Sequence, residues 1–432
     1  MEKSITRLQL SNGLTVLLKE IHTSPIISHW VWYRVGSRDE VTGKTGLSHW
    51  TEHMQFKGTP RFPAGDLDNA IARLGGVWNA FTFLDWTTYY ETLPADATRL
   101  ALELEADRMV SSTFPEEEVS SERTVIISER QGNENEPLFR LSEEVQSAAF
   151  RVHPYHHEII GDMADLYTLQ RNDLYQHYQT YYTPENAVLA VAGDFEITSM
   201  LSDIQQFYGS IPARGAPPRL SRPEPPQLGE RQVTVEGPGE TTYIQFAYRA
   251  PAANHPDFFP FMVMDSLLTG PSNLNLFGGG ISNKTSRLYQ ALVEKELAVS
   301  MSGGMQATID PFLYLITATI HPKKRPLQTI QAVNEEIQRL QENLPAPEAL
   351  ARAAKQARAL FAYGSESISN QAFWMGFSEM FDSYAWFEGY LDRLGAVTPQ
   401  EVQRVAQVYL RPQARMLGIY QPTGVPLEAQ YE

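Results

Sequence analysis

The chain has 432 residues, enough for two domains of roughly 200 residues each. Its formal net charge of −16 argues against a nucleic-acid binder, which needs a basic face to neutralise phosphates. It contains no cysteine, so disulfide frameworks and thiolate metal sites are excluded and any metal must use His, Asp and Glu.

In chain order, SITRLQL, then Asn12-Gly13, then LTVLL reads as alternation, turn and alternation, the signal of a β-hairpin. Its charged residues interrupt any apolar leader, and no stretch of the chain approaches 18 consecutive apolar residues. A cytoplasmic protein with no membrane partner is the expectation. GLSHWTEHMQFKGT, residues 46 to 59, follows and contains His49-x-x-Glu52-His53. On a helix, positions i and i+4 stack on one face, so two imidazoles at this spacing can share one zinc. Glu52 lies beside them, placed to take a proton from water. The pentapeptide by itself leaves a second reading open, a polar helix face whose histidines hydrogen-bond to neighbours.

DATRLALELEADRMVSS and PEEEVSSERTVIISERQ follow with helical spacing. In the latter, Glu122, Ile126 and Glu129 fall at i, i+4 and i+7, so both carboxylates share a face. Such a pair serves either as a third metal ligand with a supporting neighbour or as a solvated acidic face. HPYHHEIIG, residues 153 to 161, clusters three histidines, but Pro154 disfavours a helix there, so packing or loop histidines are expected.

Six prolines between residues 212 and 226 mark an extended linker near the midpoint. Beyond it, RQVTVEG and TTYIQFAYRA alternate, and RPLQTIQAVNEEIQRLQEN and APEALARAAKQARALFAYG read as long helices. The order of elements in the first half is thus repeated, which points to a duplication. The fold class expected is α+β: two homologous domains, each a mostly antiparallel sheet packed by helices. The boundaries expected are 1–212, a linker at 213–230, and 231–432. FGGGISNKTSRL is one residue from a phosphate-binding loop, with Asn283 in place of the second glycine, and no clean strand precedes it.

HWTEHMQFKGT followed by ERTVIISE resembles the inverted-zincin peptidases: pitrilysin, insulin-degrading enzyme and the mitochondrial processing peptidase. NGLTVLL, GGVWNAFT and YTPENAVLAVAGDF extend the resemblance over the first half, and it covers essentially the whole chain. In that family a glutamate about 75 residues after the second histidine completes the zinc site. Glu129 lies 76 positions beyond His53. The resemblance implies Zn2+ held by His49, His53 and Glu129, with Glu52 as general base and Glu122 in support. It implies a peptide substrate, cleaved in a closed chamber after pairing as an extra strand with the edge carrying Asn79, Ala80, Phe81 and Thr82.

One departure matters. The family's second domain brings an arginine and a tyrosine to the zinc from a segment matching LVEKELAVSM, residues 292 to 301. Here Val293 and Val299 occupy those places. Valine cannot donate a hydrogen bond to a developing oxyanion. The expectation is therefore a homologous partner subunit that supplies the pair in trans. The competing class is a scaffold of the same fold that performs no chemistry.

Overall fold

Period-two alternation produces two sheets of one design. The structure, a computed structural model, describes residues 5–275 and 281–424. The first sheet contains β1 (Thr6–Gln9), β2 (Thr15–Glu20), β3 (Ile26–Tyr33), β4 (Val77–Thr82), β5 (Thr87–Pro94) and β6 (Ala187–Gly193), in the order β1-β2-β6-β3-β5-β4. The second contains β7 (Arg231–Gly237), β8 (Tyr243–Arg249), β9 (Ala298–Gly304), β10 (Leu313–Ile320) and β11 (Met416–Pro422), in the order β7-β11-β8-β10-β9.

Set β1 aside and the two connectivities are identical. In each, the last strand of the half inserts between the first two, giving one parallel pair, β2 with β6 and β7 with β11. All other pairings are antiparallel. The fold is α+β and mostly antiparallel, as the repeated order of elements led us to expect. The β1–β2 hairpin turns at Gly13, whose φ of 91° only glycine adopts without strain.

The four long helices form at Thr98–Ser111, Glu116–Glu134, Pro326–Glu342 and Pro347–Tyr363. The proline-rich stretch 213–229 carries neither helix nor strand. No helix among the described residues is long and apolar enough to cross a membrane. Gly278 of the glycine-rich stretch lies outside the described residues. Downstream of it, the Asn283 side chain donates to the Met301 carbonyl at 3.1 Å, anchoring this stretch to β9.

The chain divides into two compact units, Met1–Arg130 with His157–Arg222 and Glu366–Phe387, and Gln131–His156 with Pro223–Ser365 and Glu388–Glu432. These differ from the contiguous spans 1–212 and 231–432, because each half lends a helix to the other half's sheet. Helix Pro137–Ala149 buries Leu141 and Val145 against β7, β8 and β11. Gly418 on β11 allows this approach, since a Cβ there would stand 2.3 Å from Val145 Cγ2. Helix Ile368–Phe381 lies on β3 and β6, burying every residue from Ala372 to Phe381. Its Gly376 faces Trp32, where a Cβ would meet Nε1 at 2.1 Å. Close packing of bulky apolar side chains, not chain order, sets these memberships.

Candidate metal centre

Helix Leu47–Met54 is locked at its start before it presents any chemistry. Gly46 has φ 86°, and a Cβ there would lie 2.5 Å from the Ile160 carbonyl oxygen. The N–H groups of Gly46 and Ser48 donate to the two carboxylate oxygens of Glu40, at 2.8 and 2.7 Å. A carboxylate thus satisfies donors that the first turn of a helix leaves open. Leu47, Trp50 and Met54 are buried, which fixes the rotation of the helix and aligns His49 with His53. Their ring centroids are 4.6 Å apart.

Helix Glu116–Glu134 buries Val119, Glu122, Ile126 and Arg130. Arg123 pins it by donating to the carbonyls of Leu166 and Leu169, with its guanidinium 4.8 Å from the Trp50 ring centroid. This places Glu129 over the histidines: Oε1 lies 3.9 Å from His49 Nε2, and Oε2 lies 3.8 Å from His53 Nε2. The Glu122 carboxylate accepts a hydrogen bond from His53 Nδ1 at 2.8 Å. Its other oxygen lies 2.5 Å from Lys57 Nζ.

Electrostatics separate these groups by role. Burial pushes His49 down to about 3, with the His53 charge adding to the effect, so its imidazole is neutral. Burial also acts against protonation of His53, but the Glu122 hydrogen bond and the Glu52, Glu122 and Glu129 carboxylates raise it overall. Glu122 would rise on burial, yet its bonds to His53 and Lys57 hold it below the usual carboxylate range. Burial pushes Glu52 up to about 7, against the Thr82 hydrogen bond and the His53 charge.

His49, His53 and Glu129 each present one donor atom, all within 4.8 Å of one another. At 3.8 to 3.9 Å the carboxylate oxygens are too far for hydrogen bonds to the ring nitrogens. They are close to the roughly 3.3 Å that separates neighbouring ligands around tetrahedral zinc. Two imidazoles and a carboxylate are a donor set that suits zinc. Glu122 on His53 Nδ1 is the kind of outer contact that fixes a ligating ring's tautomer and orientation. The residues fit the metal. Among the described residues, no other His, Asp and Glu converge in this way. His153, in the three-histidine stretch, is 3.2 Å from Asp310 and packs on Tyr155 at 4.2 Å, a packing role.

The four residues expected on one strand edge divide by face. β4 ends its sheet and pairs with β5. Val77 and Asn79 are exposed and Phe81 is partly so, whereas Ala80 and Thr82 are buried. The Ala80 N–H donates to Asn79 Oδ1 at 2.9 Å. Thr82 points away from solvent and donates to Glu52 Oε2 at 2.5 Å. Strand alternation carried that signal, since Thr82 shares parity with Ala80. Lys57 and Glu40 were not anticipated from the sequence. Their partners are a helix 65 positions away for Lys57 and a helix start for Glu40. Val299 is exposed on β9, at the end of the second sheet.

Two repeated α+β units, one of them carrying a histidine–glutamate cluster suited to zinc, define a duplicated chain with one candidate metal centre. Residues 15–163 match the family model for Insulinase (Peptidase family M16), and residues 168–357 match the Peptidase M16 inactive domain. The zinc protease PqqE of Helicobacter pylori is 32% identical over 343 residues, covering 78% of this chain and 73% of the relative. The mitochondrial-processing peptidase subunit beta of Lentinula edodes is 28% identical over 295 residues, covering 67% and 63% respectively. The crystal structure of a protease from Helicobacter pylori superposes with a TM-score of 0.90 at 27% identity, covering 97% of this chain and 99% of that one. The chain belongs to peptidase family M16.

Proposed function

We propose that this chain is the zinc-bearing subunit of an endopeptidase that hydrolyses peptides or unfolded segments. The observation that carries the proposal is the convergence of His49, His53 and Glu129 beside a buried Glu52. His49, His53 and Glu129 would hold the zinc, which when bound supplies Lewis acidity toward a scissile carbonyl and toward water. Glu52 acts as general base: Thr82 engages its Oε2, leaving Oε1 to receive the proton. Glu122 orients His53 through Nδ1. The β4 edge at Asn79–Thr82 receives the substrate backbone as an added strand, which gives affinity with little demand on sequence.

The oxyanion is not provided for within this chain's matching segment, because Val293 and Val299 have no donors. A homologous partner subunit bearing arginine and tyrosine completes the site. The Lentinula edodes relative is itself a subunit, the beta subunit of a processing peptidase, which favours such a division of labour. The second reading is a scaffold that does no chemistry. It draws on the description of the model matched at residues 168–357 as an inactive domain.

The test is hydrolysis of a quenched fluorescent peptide library by the purified, zinc-loaded chain, alone and with a homologous chain that carries arginine and tyrosine. The expected result is stoichiometric zinc, feeble cleavage alone and strong cleavage in the pair. Glu52→Gln should keep the zinc and lose about 100- to 10,000-fold in rate. A chain that purifies without zinc-binding capacity supports the scaffold. Full activity alone removes the need for a partner.

A further inference from the structure

We infer that Thr82 is a positioning residue for the general base, coupling the strand edge that receives substrate to the carboxylate that takes the proton. The inference rests on the peptidase reading above.

Its first support is an accounting of hydroxyl protons. Thr87 Oγ1 donates to the Val35 carbonyl at 2.9 Å, so its single hydrogen is committed. Thr82 Oγ1 lies 3.4 Å from Thr87 Oγ1 and 2.5 Å from Glu52 Oε2. In the ionised state, the one in which Glu52 can take a proton, its carboxylate only accepts, so the Thr82 hydrogen goes to Glu52. Thr82 and Glu52 are each 8% exposed, and a charge-assisted hydrogen bond is strengthened in such surroundings. The bond holds Oε2 and therefore sets where Oε1 points.

The second support is where Thr82 sits. It is the last residue of β4, the terminal strand of its sheet, and it pairs with Thr87 across the hairpin. Residues 77, 79 and 81 look outward while 78, 80 and 82 turn the other way, as period two requires. An extended peptide added along β4 would order the same backbone that carries the Thr82 hydroxyl. Substrate pairing and base alignment then share one rigid element.

The test compares the zinc-loaded chain with Thr82→Val, Thr82→Ser and Glu52→Gln by three readouts: metal stoichiometry, kcat and KM on peptides with the homologous arginine- and tyrosine-bearing chain present, and calorimetric affinity for a peptide hydroxamate. The hydroxamate ligates the metal and donates to the base, so it reports base position even where turnover is slow. Thr82→Val should bind zinc one to one. It should lower kcat and weaken the hydroxamate by about 10- to 100-fold, the range for losing a hydrogen bond to a charged group. KM should stay within about twofold. Thr82→Ser, which keeps the hydroxyl, should restore both values to within about threefold. The inference is overturned if Thr82→Val matches the parent in hydroxamate affinity, or if Thr82→Ser is as impaired as Thr82→Val. Failure of the peptidase reading shows itself separately, as no difference in cleavage between the parent and Glu52→Gln when each is paired with the homologous arginine- and tyrosine-bearing chain.

Discussion

The helices Leu47–Met54 and Phe258–Leu268 occupy the same slot in the two units, after the second strand of the repeated order and before the third. The first is LSHWTEHM, with Leu47, Trp50 and Met54 in the core, His49 and His53 turned toward Glu129, and Glu52 held by Thr82. The second is FFPFMVMDSLL, and every one of its residues is buried. Its one carboxylate, Asp265, accepts from Thr269, Ser272 and Tyr314 and is fully engaged in structure. The facing helices differ in the same way: Glu122 and Glu129 in the first unit, Ala353, Ala357 and Leu360 turned inward in the second. One scaffold therefore carries a site in one copy and extra core in the other, because a repeated backbone determines positions and not chemistry.

Four substitutions test the comparison. The largest effect is expected in the second unit. Phe261 is wholly buried against Tyr314 and Tyr409, with ring centroids 5.1 and 5.5 Å away. Phe261→Ala should cost about 4 kcal/mol of stability. Urea unfolding would show this, and competition with a chelator should show an unchanged zinc affinity. A large loss of zinc affinity would mean that the second slot is not merely core.

Next is Glu129→Gln in the first unit, which replaces an anionic ligand with a neutral amide. Zinc affinity should fall by about 100-fold or more, a larger loss than Glu122→Gln should produce, about 10- to 100-fold. The same competition assay measures both. Equal losses would place the two carboxylates in the same role.

The smallest effect is one of pH. His177, beside the first turn of the metal-site helix, is pushed down to about 3 by burial. Its folded value lies below an unfolded value of about 6.5. The stability it contributes is complete above that pH and is lost as the pH falls toward the folded value. His177→Gln should therefore lose about 2 kcal/mol less stability than the parent between pH 7 and pH 5, read from urea midpoints at both values. Parallel losses in parent and variant would show that His177 is not buried and neutral.

Much of the site was legible before any fold was known, because its parts are local. His49 and His53 are one helical turn apart, and Glu122 and Glu129 are two turns apart. A helix turns every 3.6 residues whatever surrounds it. What joins the two pairs is not local: 76 positions separate His53 from Glu129, and Arg123 had to find the carbonyls of Leu166 and Leu169 to bring the second helix down. Thr82 shares its edge strand with Asn79, Ala80 and Phe81, and alternation turns its side chain toward Glu52, a partner 30 positions away.

Periodicity and turn residues by themselves determined the strands, the long helices and the repeated order of elements, since these depend on neighbours within a few positions. Tertiary structure alone decided that β6 and β11 insert between earlier strands. It also decided that helices Pro137–Ala149 and Ile368–Phe381 cover the other half's sheet. An amphipathic helix specifies that it must bury a face, but not against what. That choice falls to shape, to Gly376 beneath Trp32 and Gly418 beneath Val145, where only a missing side chain lets two surfaces close.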